Sequence, residues 1–132
     1  MSYFHLIFGV LLFAVFTITG RYMRADFPDK TEIDQTLRIL MRSRHIYILL
    51  SSLIHMSLGV YLQLRPQLIR KVIQIIGSTV LVISSLMLCW AFVLETYYLQ
   101  GYSSYSRNGL YLTLAGAILH IIGGLNLPDS RK

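Results

Sequence analysis

His55 and His120 are the side chains with the most chemistry to offer. His55 lies nine residues before Leu64, and His120 lies seven before Leu127. If two helices end on one side at Leu64 and Leu127, the imidazoles differ in depth by only about 3 Å. Two imidazoles at one depth on inward helix faces fit the axial ligation of a b-type haem. They also fit a proton relay. The plainer reading is hydrogen bonding to serine hydroxyls or backbone carbonyls of neighbouring helices.

Glu95 is the carboxylate that directly follows the uncharged apolar stretch of residues 72–94. It lies 23 residues after Val72, and the same count back from Leu64 reaches Met41. In an antiparallel pair Glu95 is therefore expected level with Arg38, Arg42 and His45. An unpaired carboxylate at the edge of hydrocarbon is costly, so a structural ion pair with Arg42 or Arg38 is expected. A coupling carboxylate for proton or cation exchange is the other role. Small four-helix multidrug transporters carry that Glu in their first helix, and this chain has none there. A transporter would have to rely on Glu95 or His55.

Met56, Met87 and Cys89 are soft ligands, but no paired Cys or Met motif accompanies them, so no metal site is expected. A single cysteine permits no intrachain disulfide. Ser51, Ser52, Ser84 and Ser85 have no nucleophile motif around them and are expected to bond their own or a neighbouring helix. No catalytic constellation emerges, and the chain is expected to have no enzymatic activity of its own.

The elements that carry these residues follow from the charges. Residues 1–20, 46–64, 72–94 and 108–128 contain no Asp, Glu, Lys or Arg, so all 12 basic and 6 acidic residues lie outside them. Charged residues are 14 % of the chain, against about 25 % in soluble domains. A soluble domain spreads its charges over every surface element. Four uncharged stretches of spanning length predict four transmembrane helices, near 3–20, 46–64, 72–98 and 109–127, in a single domain over residues 1–132. The first stretch lacks a basic leader and an Ala-x-Ala-like cleavage site, and is expected to be a retained helix.

Thr31-Glu32-Ile33-Asp34 fits a capping box. Ile33, Leu37, Leu40 and Met41 follow at helical spacing, with Gln35, Arg38 and Arg42 opposite, which makes 31–45 a basic amphipathic extension of the second span. One helix over 31–64 is expected, ended by Pro66, and a third over 67–100, stopped by Gly101. The result is an all-α integral membrane protein with four helices in an antiparallel bundle. Helices 2 and 3, each about 50 Å long, would protrude on one side. Asn108 is the expected N-cap of helix 4, which ends near Pro128. Tyr97, Tyr98, Tyr102 and Tyr105 suit an interfacial aromatic belt.

Small and polar residues recur at steps of three, four or seven. Helix 2 carries Arg38, Arg42, His45, Ser52, His55 and Gly59; helix 3 carries Gln74, Gly77 and Ser84; helix 4 carries Gly109, Thr113, Gly116, His120 and Gly123. Such stripes let helices approach closely in lipid, so Gly59, Gly77, Gly109, Gly116 and Gly123 are the expected packing positions.

His5 opens an apolar helix that ends Gly20-Arg21-Tyr22-Met23, and Ala117-Ile118-Leu119-His120 lies in the last helix. These two short patches resemble the first and last helices of the bacterial four-helix di-haem b-type cytochromes. The resemblance implies haem b and electron transfer. The chain departs from that pattern in having no histidine after His120.

The net charge of +6 sits beside hydrophobic spans, where Lys and Arg meet lipid headgroups, so the partner is the bilayer rather than nucleic acid. Lys and Arg divide five on the side of the termini to seven on the other, a weak bias in which Arg21 and Arg24 argue for termini outside and helices 3 and 4 for termini inside; the Tyr/Ser-rich loop suits the outside and decides the reading. The expected location is therefore the cytoplasmic membrane of a bacterium, with both termini cytoplasmic. The sequence reading is a small protein that works by helix packing, as an accessory or assembly subunit of a membrane complex or as a homo-oligomer, with no cofactor. Its alternatives are an electron carrier with haem b on His55 and His120, and a small transporter.

Overall fold

The structure, a computed structural model, describes residues 1–26, 35–97 and 104–125. These residues form four α-helices: α1 (Ser2–Asp26), α2 (Gln35–Tyr61), α3 (Leu68–Tyr97) and α4 (Ser104–Gly124). There is no strand among the described residues. The capping box at Thr31–Asp34, the stop at Gly101, the tyrosines 98 and 102, and the end at Pro128 lie outside them.

Helix boundaries depart from expectation where local chemistry is subtle. α1 continues six residues past Gly20, because Arg21, Met23, Arg24 and Ala25 are good helix formers and nothing stops the ladder. α2 stops at Tyr61, three residues short of Leu64, leaving a connector of residues 62–67. The residue before a proline is pushed out of the helical region, and Pro66 exerts that pressure at the end of this connector. Gln74 holds the connector by accepting from the Arg65 backbone N–H at 3.0 Å. α4 starts at Ser104, so Asn108 sits inside the helix and is not its cap. α2 and α3 are the two longest helices, with 27 and 30 residues, or about 40 and 45 Å.

α1 packs mainly on α2 and α3 mainly on α4; α2 against α3 joins the two pairs, and α2 meets α4 more sparsely. Small residues set the closeness. A Cβ at Gly59 would stand 2.6 Å from the Leu6 backbone, so α1 and α2 touch main chain to main chain there. Gly9 faces Ser52 and Met56, and Gly20 faces the His45 ring. On the other side Gly77 meets the Gly116 carbonyl, Gly116 meets Leu81, Gly109 meets Leu88, and Gly123 meets Gln74.

α1 and α3, over Ser2–Ala25 and Leu68–Thr96, are long and apolar enough to cross a membrane. Their outward faces are apolar, through Ile7, Leu11 and Ile18 on α1 and Ile76, Ile83 and Trp90 on α3.

Candidate functional site

The centre of the bundle holds a line of five polar side chains drawn from all four helices. His55 on α2 is fully buried, and its inward neighbours fix its position: Met41, Arg44, Ile48, Ser51, Ser52 and His55 form the buried stripe of α2. His5 comes from the first turns of α1 and is also fully buried. Ser78 and Ser85 lie two turns apart on α3, and His120 on α4 is 9 % exposed.

The contacts run in series. Nε2 of His120 lies 3.0 Å from Oγ of Ser78. Ser78 Oγ lies 2.9 Å from Nε2 of His5. Nδ1 of His5 lies 2.7 Å from Nδ1 of His55. Nε2 of His55 lies 3.0 Å from Oγ of Ser85. Ser85 Oγ donates to the Leu81 carbonyl at 2.8 Å.

That last bond sets the polarity of the whole line. A carbonyl only accepts, so the one proton of Ser85 goes to Leu81, and His55 must donate from Nε2. Neutral His55 then has a bare Nδ1, so His5 donates from Nδ1 and has a bare Nε2. Ser78 therefore donates to His5 and accepts from Nε2 of His120. The remaining lone pair is Nδ1 of His120, a buried nitrogen without a hydrogen-bond partner. Every proton in the line points away from His120.

The structure thus brings His55 and His120 into one network, with His5 between them. The ring centroids of His5 lie 5.0 Å from His55 and 6.1 Å from His120. Both nitrogens of His55 are engaged, and His5 and Ser78 link His55 to His120 through hydrogen bonds. No group of three or more His, Cys, Asp or Glu among the described residues converges as metal ligands do. The sequence reading places His5 with Gly9 on the inward polar face of helix 1 and in the family resemblance, but not between the other two histidines.

Glu95 occupies a second polar centre, and its cation is Arg44 rather than Arg42, Arg38 or His45. Oε2 of Glu95 lies 3.2 Å from Nε of Arg44, with both side chains buried. The depth count toward Met41 landed within one turn, but it did not give the face. Arg44 follows Met41 and precedes Ile48 on the buried stripe, whereas Arg42 points outward. His45 turns to α1, where it meets Thr19 at 3.1 Å and stacks on Phe16 at 4.1 Å between centroids.

Glu95 also caps α4. Its Oε1 accepts from the backbone N–H of Tyr105 at 2.6 Å and of Ser106 at 3.2 Å, and Oε2 accepts from the Ser106 hydroxyl. The first amides of a helix have no partner within it and carry the positive end of its dipole. A carboxylate from α3 satisfies both needs. At the far end of α4, Arg65 donates to the Gly124 carbonyl from Nε at 3.2 Å and from Nη2 at 2.7 Å. Between these ends, Ser84 and Thr113 meet above the Gly109 carbonyl, to which both donate-capable hydroxyls are close.

No family model, curated protein or solved structure matches the chain. The fold and the polar line therefore define a class only: an all-α protein of four helices, two of them long and apolar enough to cross a membrane.

Proposed function

We propose that the chain is a multi-pass membrane protein of four antiparallel spans. It works by helix packing, as an accessory or assembly subunit of a membrane complex or as a homo-oligomer. One observation carries this reading. Among the described residues, fourteen polar or charged side chains are buried against seven apolar ones, while thirty-three large apolar side chains are exposed. A water-soluble bundle reverses that arrangement. α2 and α4 share the pattern, through Ile46, Leu50 and Leu53 and through Leu114, Ile118 and Ile121. Pairing of Leu6 with Gly59, Gly9 with Ser52 and Gly20 with His45 supports antiparallel packing of α1 and α2.

The packing role follows from where the polar groups go. Most of them are engaged by bonds inside the bundle, Ser51 Oγ and His120 Nδ1 excepted, and the outer surface offers apolar helix faces suited to lipid or to other helices. Glu95 is held by Arg44 and the α4 amides, which supports a structural part for it rather than ion exchange. The test is purification of tagged protein from its native membrane in mild detergent, followed by native mass spectrometry. The expected result is one defined partner at fixed stoichiometry, or a fixed multiple of the 15.1 kDa chain. A lone monomer under every mild condition would overturn the proposal.

A further inference from the structure

The buried, unpartnered nitrogen of His120 lies beside a cleft, and the two together point to a ligand. The cleft opens between α2 and α4, where the helices meet sparsely. Its apolar half, of about 350 Å³, lies among Leu53, Ile54, Leu81 and Ala117. A second half, of about 320 Å³, reaches Gln63, Arg65 and Gln74 at the end of the bundle. Leu58, His120 and Ile121 line both halves. The apolar half is walled by the exposed side chains of Leu53 and Ile121, so it is open from the side.

We propose that this cleft binds a lipid-soluble molecule carrying a hydroxyl group, and that the hydroxyl donates to Nδ1 of His120. This goes beyond the packing role and does not depend on a protein partner. The polarity of the hydrogen-bonded line selects the ligand. Nδ1 of His120 is an acceptor, so it takes a donor. A ligand that only accepts, such as an ether or a ketone, would require the proton of His120 on Nδ1. That would reverse every bond down to Ser85, whose hydroxyl would have to leave the Leu81 carbonyl. The apolar half suits a hydrocarbon body, and the Gln63, Arg65 and Gln74 end suits further polar atoms. Nδ1 is buried, so seating a hydroxyl on it requires a wall side chain such as Leu58 or Ile121 to move.

The shared chemistry is a hydroxyl on an apolar body, and it has two sources: a phenolic compound or a glycerolipid with a free hydroxyl. The experiment uses the full chain with ¹⁵N-labelled histidine in dioleoylphosphatidylcholine nanodiscs, whose lipid has no hydroxyl. The probes are 4-octylphenol, its methyl ether 4-octylanisole, and 1-mono-oleoylglycerol. The expected result is a saturable shift of the His120 Nδ1 resonance with one of the two hydroxyl probes. The ether should bind roughly 10- to 100-fold more weakly than the phenol where the phenol is the ligand, the cost of a buried acceptor left unpaired. A response to mono-oleoylglycerol alone assigns the site to a lipid hydroxyl. Ile121→Trp, which adds bulk to the cleft wall and touches no hydrogen-bonding group of the polar line, removes the response. Equal binding of phenol and ether overturns the proposal. So does an Nδ1 resonance that already reports a hydrogen bond before any probe and that no probe moves, which assigns the site to water.

Discussion

Substituting Gly59 by alanine tests the closest helix contact in the molecule. The new Cβ would stand 2.6 Å from Cα, Cβ and N of Leu6. Carbon atoms in contact need about 3.5–4.0 Å, so α1 must move off α2 by about 1 Å. Two bonds span that interface nearby: Ser52 to the Gly9 carbonyl at 2.9 Å, and His5 to His55 at 2.7 Å. A 1 Å opening carries both beyond hydrogen-bonding range. Overpacking of this kind costs about 1–3 kcal/mol, and each neutral bond lost costs about 1 kcal/mol. Gly109→Ala is the matched control. There the new Cβ meets the side-chain end of Leu88 at 2.7 Å, which a rotamer change relieves for about 0.5–1.5 kcal/mol. Both variants gain the same helix propensity of about 1 kcal/mol, so it cancels in the comparison. Gly59→Ala is expected to be the less stable of the two by about 2–4 kcal/mol. The assay is loss of helical circular dichroism on adding sodium dodecyl sulfate to protein in mild detergent. Gly59→Ala at or above the stability of Gly109→Ala would refute the backbone contact and the close seating of α1.

The proton assignments predict that ¹⁵N spectra find His5 protonated on Nδ1, and His55 and His120 on Nε2; His5 on Nε2 would break the derived polarity. Glu95→Gln removes the buried carboxylate that faces Arg44 and is expected to cost about 3–5 kcal/mol, while Arg44→Met combined with Glu95→Gln recovers part of it. A double-mutant cycle in the same unfolding assay measures that coupling, and additive losses would remove the ion pair from the account. Arg65→Ala frees the Gly124 carbonyl and should speed amide exchange in the connector and in the last turn of α4 alone, read by hydrogen-exchange mass spectrometry. Protein expressed with haem available should purify without a Soret band that depends on His55, since both His55 nitrogens are engaged.

The four helices were legible because charge-free runs and stop signals are one-dimensional features. Their exact ends were less so. Asn108 looked like a cap, but the cap of α4 comes from Glu95, nine residues before Ser104 and on another helix. The position of Glu95 along the bundle could be counted from the chain, since rise per residue is fixed. Its partner could not, because choosing Arg44 over Arg42 requires the rotation of α2 about its axis. That rotation is set by the whole buried stripe from Met41 to His55. His55 and His120 stood out by equal depth; His5, in the first turns of α1, did not, and the packing of α1 on α2 brings it beside His55. The serines that string the imidazoles together carry no signal in sequence; a hydroxyl that back-bonds its own helix and one that bridges two histidines read alike.

The division of the molecule into two helix pairs bears on how it is made. α1 closes on α2, and α3 closes on α4, each through contacts contained within a contiguous half of the chain. Each half can therefore take shape as it leaves the ribosome, before the other exists. The line from His120 through Ser78, His5 and His55 to Ser85 crosses between the halves repeatedly, and no half holds it alone. On the proposed membrane reading, where apolar faces gain little by meeting in lipid, those bonds would distinguish the correct mate from any other helix. An orphaned half would leave the histidines or serines of the line without their partners in the other half.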